Sequence, residues 1–318
     1  MLRYSPGRHP HRDPLSVTGP PTEGPSLSVV VPSVNGWGDL EGCLAALFAQ
    51  DGAAAIEVLV ADRVGRAVRE PLARTFPGAR LIAAAAGTTI PDLRALAFAA
   101  ARGAVVGVIE DHVIVPPDWA RRMLAEHAAG AEVVGGSVVN VATERLVDRA
   151  AFLCEYSQSL RPPEGPSDWL TGNNVTYRAS LLASHQAAWH AGRWENHLHD
   201  ELRRDGVILT SRPAIAVGHK MHYTVGSYLY QRYLYSRSYA GMLARGAGSP
   251  RRLAMGLASF ALPPVLLARI VSRVWAAEDH RADLLRSLPL QAVFTLGWAA
   301  GEVAGWWAGP GDALQKVV

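Results

Sequence analysis

The stretch Ala104-Val-Val-Gly-Val-Ile-Glu110-Asp111-His112 constrains this chain most. It is a short apolar run that stops abruptly on two acids and a histidine. Such a run, bounded by polar residues, reads as a buried strand of a parallel sheet. Its carboxyl end then presents three side chains with metal-ligating chemistry.

Comparable units surround it. Leu27 to Pro32 reads as a first strand, followed by a loop from Ser33 to Gly38 with Asn35 and Gly36 at its tip. Asp39 to Gln50 sets Leu40, Leu44, Leu47 and Phe48 at helical spacing, and Gly52 reads as its stop. Ile56 to Val60 is a second strand ending on Asp62, and a third lies near Ala79 to Ile82. Pro91 and Asp92 begin an alanine-rich helix that runs to Arg102, with Gly103 after it. Beyond the opening run, Pro116-Pro117-Asp118 starts a helix to about His127, and Ala131 to Val139 reads as one more strand. Strands alternating with helices predict an α/β fold with a mainly parallel, Rossmann-like sheet flanked by helices. Ligands of such sheets sit outside the carboxyl ends of the strands. Asn35, Asp62 and Glu110–His112 all fall on that rim. No GxGxxG follows the first strand, which argues against a dinucleotide site.

Composition sets outer bounds. A chain of 318 residues, 49% hydrophobic, has one large domain or two small ones and buries a sizeable core. A formal charge of +3 is slight for this length and gives no argument for nucleic-acid binding. Cys43 and Cys154 make no disulfide framework and no CxxC is present, which suits a reducing compartment. Residues 1–26 are proline-rich and polar with no apolar h-region, and read as a disordered tail rather than a signal peptide.

Taken in order, several short pieces resemble the family 2 glycosyltransferases, which have the GT-A fold. They are Val29-Val-Val-Pro-Ser-Val-Asn35, Glu57-Val-Leu-Val-Ala-Asp62, Asp92-Leu-Arg94, Val108-Ile-Glu-Asp-His112 with Pro116-Pro-Asp-Trp119, and Thr171-Gly-Asn-Asn-Val-Thr-Tyr-Arg178. Trp194-Glu195 ahead of Leu198 and Leu202, then Val217-Gly-His219, complete the set. The resemblance covers residues 27–245 and implies a GT-A domain there, with 246–318 as a hydrophobic, membrane-associated helical region.

The resemblance implies roles position by position. Pro32, Asn35 and Asp62 fall where the family holds the nucleotide, Arg94 where an arginine faces the donor, and Asp111 beside them. Glu110, Asp111 and His112 fall on the DxD metal motif, with His219 as a further metal or diphosphate contact. Glu195 falls on the general base. Trp169, Gly172, Asn173 and Asn174 form the loop under sugar and acceptor. The implied activity is inverting transfer of a sugar from a nucleotide-diphosphate donor to a hydroxyl of a lipid-linked or polysaccharide acceptor, with Mn²⁺ or Mg²⁺ as cofactor. The implied setting is cell-envelope polysaccharide synthesis at the cytoplasmic face of the membrane.

There are departures. The DxD is ExH here, and histidine moves metal preference from Mg²⁺ toward Mn²⁺. The Glu-Asp pair is Trp194-Glu195, and Arg63 stands where a second aspartate is usual. QxxRW is absent, although Gln231-Arg232 sits nearby, so single addition is favoured over polymerisation. The ExH and Trp-Glu changes keep open a catalytically silent membrane-bound scaffold; the other alternative, a nucleotidyltransferase on a similar sheet, would want a lysine in the loop after the first strand, and Asn35-Gly-Trp-Gly38 has none.

The residues themselves allow these roles. Positions 110 and 112 of an extended chain point the same way, leaving Asp111 toward ribose or a backbone donor; if the strand is not extended there, Asp111 is the direct ligand. Leu198 and Leu202 give Glu195 a buried helical face to stand on. His219, and less so His222, follow an apolar strand. Plainer readings stand beside each: a turn closing a strand, a helix-start acid, a satisfied buried histidine.

The tyrosine-rich stretch 223–239 sets Tyr228, Arg232, Tyr235 and Tyr239 on one helical face, fit for a membrane interface or a lipid-linked acceptor, or else for packing on the catalytic domain. Leu253 to Ala268 is apolar but short and holds Pro263-Pro264, below the roughly 20 residues of a spanning helix. Leu288 to Gly309 is longer but contains Glu302, and arginines lie between the two. The expectation is a re-entrant or interfacial hairpin.

Overall fold

The computed structural model describes residues 24–51, 56–190 and 192–318. Residues 1–23 of the expected tail, and Gly52 as a helix stop, lie outside the described residues.

The first half alternates as expected: β1 (Leu27–Ser33), α1 (Trp37–Phe48), β2 (Ile56–Asp62), α2 (Arg66–Thr75), β3 (Arg80–Ala83), α3 (Ile90–Ala100) and β4 (Val105–Ile109). β1 runs parallel to both β2 and β4, and β2 parallel to β3. Period-two alternation splits β1 between two cores. Val29 and Val31 pack with Leu40 and Leu44 of α1, while Val30 packs with Leu93 of α3. Sequence periodicity did not reveal α2, since only Val68 and Leu72 are buried and Pro71 lies inside it.

The second half is mixed. It comprises β5 (Val113–Ile114), α4 (Trp119–Ala128), β6 (Val133–Asn140), α5 (Leu146–Tyr156), β7 (Gly165–Ser167), β8 (Asn174–Arg178), α6 (Ala179–Ser184), α7 (Gln186–His190), α8 (Glu195–Arg204) and β9 (Leu209–His219). Among the described residues the strands join one sheet in the order β3-β2-β1-β4-β8-β6-β9-β5, with β7 on β9. β8 is antiparallel to both β4 and β6, so the parallel half ends at β4. The carboxyl end of β4 therefore lies mid-sheet, beside the start of β8. This brings Glu110 next to the Gly172–Asn174 loop.

Five helices follow: α9 (Val225–Ala244), α10 (Ser249–Ala258), α11 (Leu262–Ala276), α12 (Arg281–Ala308) and α13 (Ala313–Lys316). α9 and α12 pack closely because Gly297, Gly301 and Gly305 form a stripe against it. A Cβ at Gly301 would stand 2.2 Å from the Tyr233 carbonyl oxygen, and one at Gly305 2.7 Å from that of Arg237. The tyrosine helix is thus packed into the protein: Tyr228 is fully buried, stacked edge-on to Phe294 of α12.

The apolar stretch around 253–268 is longer than expected. α10, a short 3₁₀ turn and α11 run as one helical segment, Ser249–Ala276, of 28 residues with mean hydropathy 1.7 and 17% buried in its apolar window. Pro263 and Pro264 do not break it because they stand in the first turn of α11, where a missing N–H costs nothing. Among the described residues this segment alone is long and apolar enough to cross a membrane; α12, the expected second arm of a hairpin, lies against α10 and α11 and also packs on α9 and α5.

Asp148 pins the entry to α9. Its buried carboxylate accepts from Arg145 Nε and Nη2 (both 2.8 Å), from the Tyr223 backbone N–H (2.8 Å) and from His222 Nδ1 (2.9 Å). Burial opposes the charge, but these donors outweigh it and hold the carboxyl below its ordinary value. A depressed folded-state pKa gives stability that is present above the unfolded value, about 3.9, and lost as pH falls through the folded one. Asp148→Asn is expected to cost about 1–3 kcal/mol at neutral pH. Urea denaturation should show the gap between variant and parent closing below about pH 4.

Candidate active site

The strand-end acids and histidine divide their work. Asp111 turns inward. Its Oδ2 accepts from the backbone N–H groups of Val34 (2.8 Å) and Asn35 (2.9 Å), and its Oδ1 takes Asn35 Nδ2 (2.7 Å) and His112 Nδ1 (3.2 Å). With those acceptor positions filled, Asp111 clamps the loop after β1 onto the loop after β4. Asn35 is the other half of that clamp. The backbone donor is what Asp111 found, as one of the sequence readings allowed.

Glu110 and His112 point the other way, to a shared side. Glu110 Oε2 lies 3.4 Å from His112 Nε2, and Glu110 Oε1 lies 3.4 Å from Arg94 Nη2. Asn173 Nδ2 adds a 3.3 Å contact to Glu110 and a 2.7 Å bond to the Tyr156 hydroxyl. Burial would raise the Glu110 pKa, but His112 and Arg94 outweigh it and hold the carboxyl well down. Burial would lower that of His112, yet its hydrogen bond to Asp111 and the nearby Glu110 charge raise it. His219 stands edge-on to His112 with ring centroids 4.6 Å apart; burial, then the His112 charge, push its pKa down.

Arg94 joins this group to Glu195. Its Nη1 binds Glu195 Oε2 and its Nη2 reaches Glu110, so the guanidinium lies between the two acids and is itself buried. It does not stand free to face a donor, as its sequence position implied. Glu195 opens α8 after Trp194, which has extended backbone; an acid suits a helix amino end. Leu198 and Leu202 fix the helix below it as expected. Gly172 lies directly under Glu195: a Cβ there would stand 2.1 Å from the carboxyl carbon. Trp169, Asn173, Glu195 and Glu110 line one cleft of about 330 Å³.

Two expected site residues are spent elsewhere. Asp62 is fully buried and accepts from Ser33 Oγ, the N–H groups of Val64 and Gly65, and Arg69 Nε, so it shapes the turn after β2. Asn174 is also fully buried: Oδ1 takes the Trp119 indole N–H (2.9 Å) and Nδ2 donates to the carbonyls of Ser137 (2.8 Å) and Ile215 (2.9 Å). It ties β8 to α4, β6 and β9. Pro32 lines a second, tighter pocket with Asp111, His112 and His219.

Sequence reasoning missed most of the far walls, having singled out only the face that carries Tyr235 and Tyr239. Glu155, Tyr156 and Gln158 from α5 and the turn after it, Tyr235 and Tyr239 from α9, and Trp298 from α12 complete the cleft. Arg232 packs over Tyr228 (4.8 Å) and Tyr235 (4.9 Å) and pairs with Glu155 at 3.2 Å. Gln231 and Arg232 line the tighter pocket, so the dipeptide that stood out near a missing QxxRW was the available signal.

The residues suit a divalent ion in part. Among the described residues no cluster of three acids, histidines or cysteines is set to hold one. Glu110 and His112 are a ligating pair, and His112 Nε2 and Asn173 Oδ1 are buried without hydrogen-bond partners beside it. An ion there would replace a proton on His112, whose raised pKa opposes it at low pH.

Asn174→Ala is expected to cost about 3 kcal/mol or more, since it strips partners from Trp119 and two buried carbonyls. Asn173→Ala should cost about 1 kcal/mol. Urea denaturation of the two variants tests this split between a structural amide and a cleft-facing one.

Residues 28–179 match the profile described as Glycosyl transferase family 2. A search of curated protein sequences returned no match. Among solved structures, the chain is similar to mannosyltransferase PcManGT from Pyrobaculum calidifontis in complex with GDP-Man and Mn²⁺. That match has TM-score 0.54 and 16% identity, over 93% of this chain and 91% of that one. It also matches S. aureus TarS 1-349, with TM-score 0.49 and 15% identity over 88% and 90% of the two chains. The first of these likenesses supports a GT-A fold, and the profile match covers β1 to β8 with the Glu110–His112 strand end near its centre: residues 28–179 are similar to the family 2 glycosyltransferases.

Proposed function

We propose that this glycosyltransferase moves a sugar from a nucleoside-diphosphate donor to an acceptor hydroxyl by single displacement, with inversion and Glu195 as general base. The observation that carries the reading is the Glu110–Arg94–Glu195 bridge along one cleft. It sets a diphosphate-side acid and an acceptor-side acid a guanidinium apart.

Glu195 Oε2 is held by Arg94, while Oε1 makes no hydrogen bond among the described residues. Oε1 is the atom that takes the acceptor proton. The fixed Oε2 keeps the carboxylate from rotating away, which is the value of a positioned base. Trp169 offers a half-exposed aromatic face and Asn173 an amide, chemistry suited to a polyhydroxylated ring. Glu110 and His112 would hold a divalent ion, and such an ion neutralises charge on the leaving diphosphate. The likeness to a structure in complex with GDP-Man and Mn²⁺ supports that assignment.

The acceptor we favour is lipid-linked, at the membrane surface on the cytoplasmic face. Leu253, Leu257, Phe260 and Val265 lie exposed on the α10–α11 segment. Both halves of the segment also lie against α12, so it runs along the catalytic body rather than away from it. An exposed apolar face on such a segment fits the plane of a bilayer interface. Residues 246–318 then anchor and lend Trp298 to the cleft, and residues 27–245 carry the Glu110–Arg94–Glu195 group.

Glu195→Gln should fold normally and lower kcat about 10²–10⁴-fold, measured as donor turnover with acceptor present. Equal turnover would remove Glu195 as base. Separately, Leu257→Asp with Phe260→Asp should release the protein from sedimenting anionic vesicles; unchanged sedimentation would move the membrane contact elsewhere.

A further inference from the structure

The tighter pocket beside Asp111 and His112 contains part of the chain's own carboxyl-terminal segment. Pro32, Val34, Asp111, His112 and Gln231 line it together with Val318. The segment is docked by specific contacts. Ala313 and Val317 are fully buried against Ile90 and Leu234. The Val318 N–H donates to Gln231 Oε1 (3.1 Å). Arg63, in the turn after β2, holds it by the backbone: Nη1 donates to the Gln315 carbonyl (3.0 Å) and Nη2 to that of Val317. The same Nη1 also reaches the Thr88 carbonyl (2.9 Å), which anchors the guanidinium to the body of the domain.

An arginine is a costly way to hold neutral carbonyls. Arg63 is buried, and its guanidinium keeps a full charge that these contacts do not neutralise. Burial pushes the Arg63 pKa down, and the nearby Asp111 carboxylate only partly offsets that. A buried cation at the rim of the strand ends, held by the Thr88 carbonyl and by two carbonyls of the segment, matches an anionic ligand better than it matches peptide oxygens.

We propose that Arg63 is a donor-binding residue latched, in this conformation, by the segment Ala313–Val318, so that docking of the segment and binding of a nucleoside diphosphate exclude each other. This deepens the donor-site reading given above and rests on it. The docked segment occupies the floor of the pocket; when it leaves, Gln231 and the Arg63 fork become free for base, ribose or phosphate oxygens. Donor affinity is then reduced by the fraction of molecules in which the segment is docked.

The test uses GDP and UDP, each with Mn²⁺, and calorimetric Kd values. Two proteins are compared with the parent: one lacking residues 311–318, and the full chain with Val317→Asp, which places a charge in the Ile90–Leu234 seat. Both should keep the parent's circular dichroism and bind one nucleoside diphosphate about tenfold more tightly, the result of unlatching a site docked in about nine molecules of ten. In the shortened chain, Arg63→Gln should weaken that binding at least about fivefold. A dye on Gln315→Cys, in a Cys154→Ser background, should report release of the segment with a midpoint at the same Kd.

Equal or weaker binding by the folded shortened chain, together with an unmoved dye, would overturn the proposal and leave the donor-site reading intact. Unchanged affinity on Arg63→Gln would remove Arg63 as a donor contact. Binding to no form of the protein would overturn the donor-site reading, and the latch with it.

Discussion

The cleft depends on the Arg94 guanidinium. Glu110 comes from the end of β4 and Glu195 from the start of α8, and two carboxylates brought together in a partly dry cleft repel and take up protons. Arg94 lies between them, so each acid gains a counter-charge and the buried arginine gains two. A lone buried guanidinium would be costly; paired with two acids its desolvation is largely offset. The consequence is preorganisation. Three side chains from three elements are held in one arrangement before any ligand arrives. Gly172 makes room for it, since no side chain fits under the Glu195 carboxyl.

The carboxyl-terminal helices matter to this site because of a stripe of small residues. Gly297, Gly301 and Gly305 let α12 lie against the backbone of α9. That contact carries Trp298 to the cleft, and it turns the tyrosines of α9 into packing for Arg232 and Glu155. It also leaves α10–α11 on the outside with its apolar side chains uncovered. One packing solution thus sets both the far wall of the cleft and the face available to a membrane.

The parallel half of the fold was legible because buried strands are apolar runs and their helices carry the 3.6-residue period. α2 was not, with two buried positions and an internal proline. In the site, Glu110, His112, Glu195, Trp169 and Asn173 share a neighbourhood, as their positions in the sequence implied. Asp62, Asp111 and Asn174 look the same in sequence, polar residues at strand ends and a turn, yet their hydrogen-bonding capacity is consumed inside the protein. The difference lies in the partners, backbone N–H groups and carbonyls of distant loops, which no local pattern encodes. The Pro263-Pro264 pair misled for a related reason: proline breaks a helix in its interior but not in its first turn, and which of these applies depends on where the turn begins.

The inward turn of Asp111 also explains how ExH can stand where DxD is usual. The middle residue fixes the geometry, by fastening the loop after β1 to the loop after β4 through backbone donors. With that clamp in place, Glu110 faces the cleft and His112 the tighter pocket beside it. The outer positions then need only reach, and the longer Glu110 is steadied by Arg94 and Asn173 while His112 is steadied by Asp111 itself. The outer residues can change length and chemistry without moving the frame. A change at Asp111 would release both loops at once, so the residue that makes no outward contact is the one on which the outward pair depends.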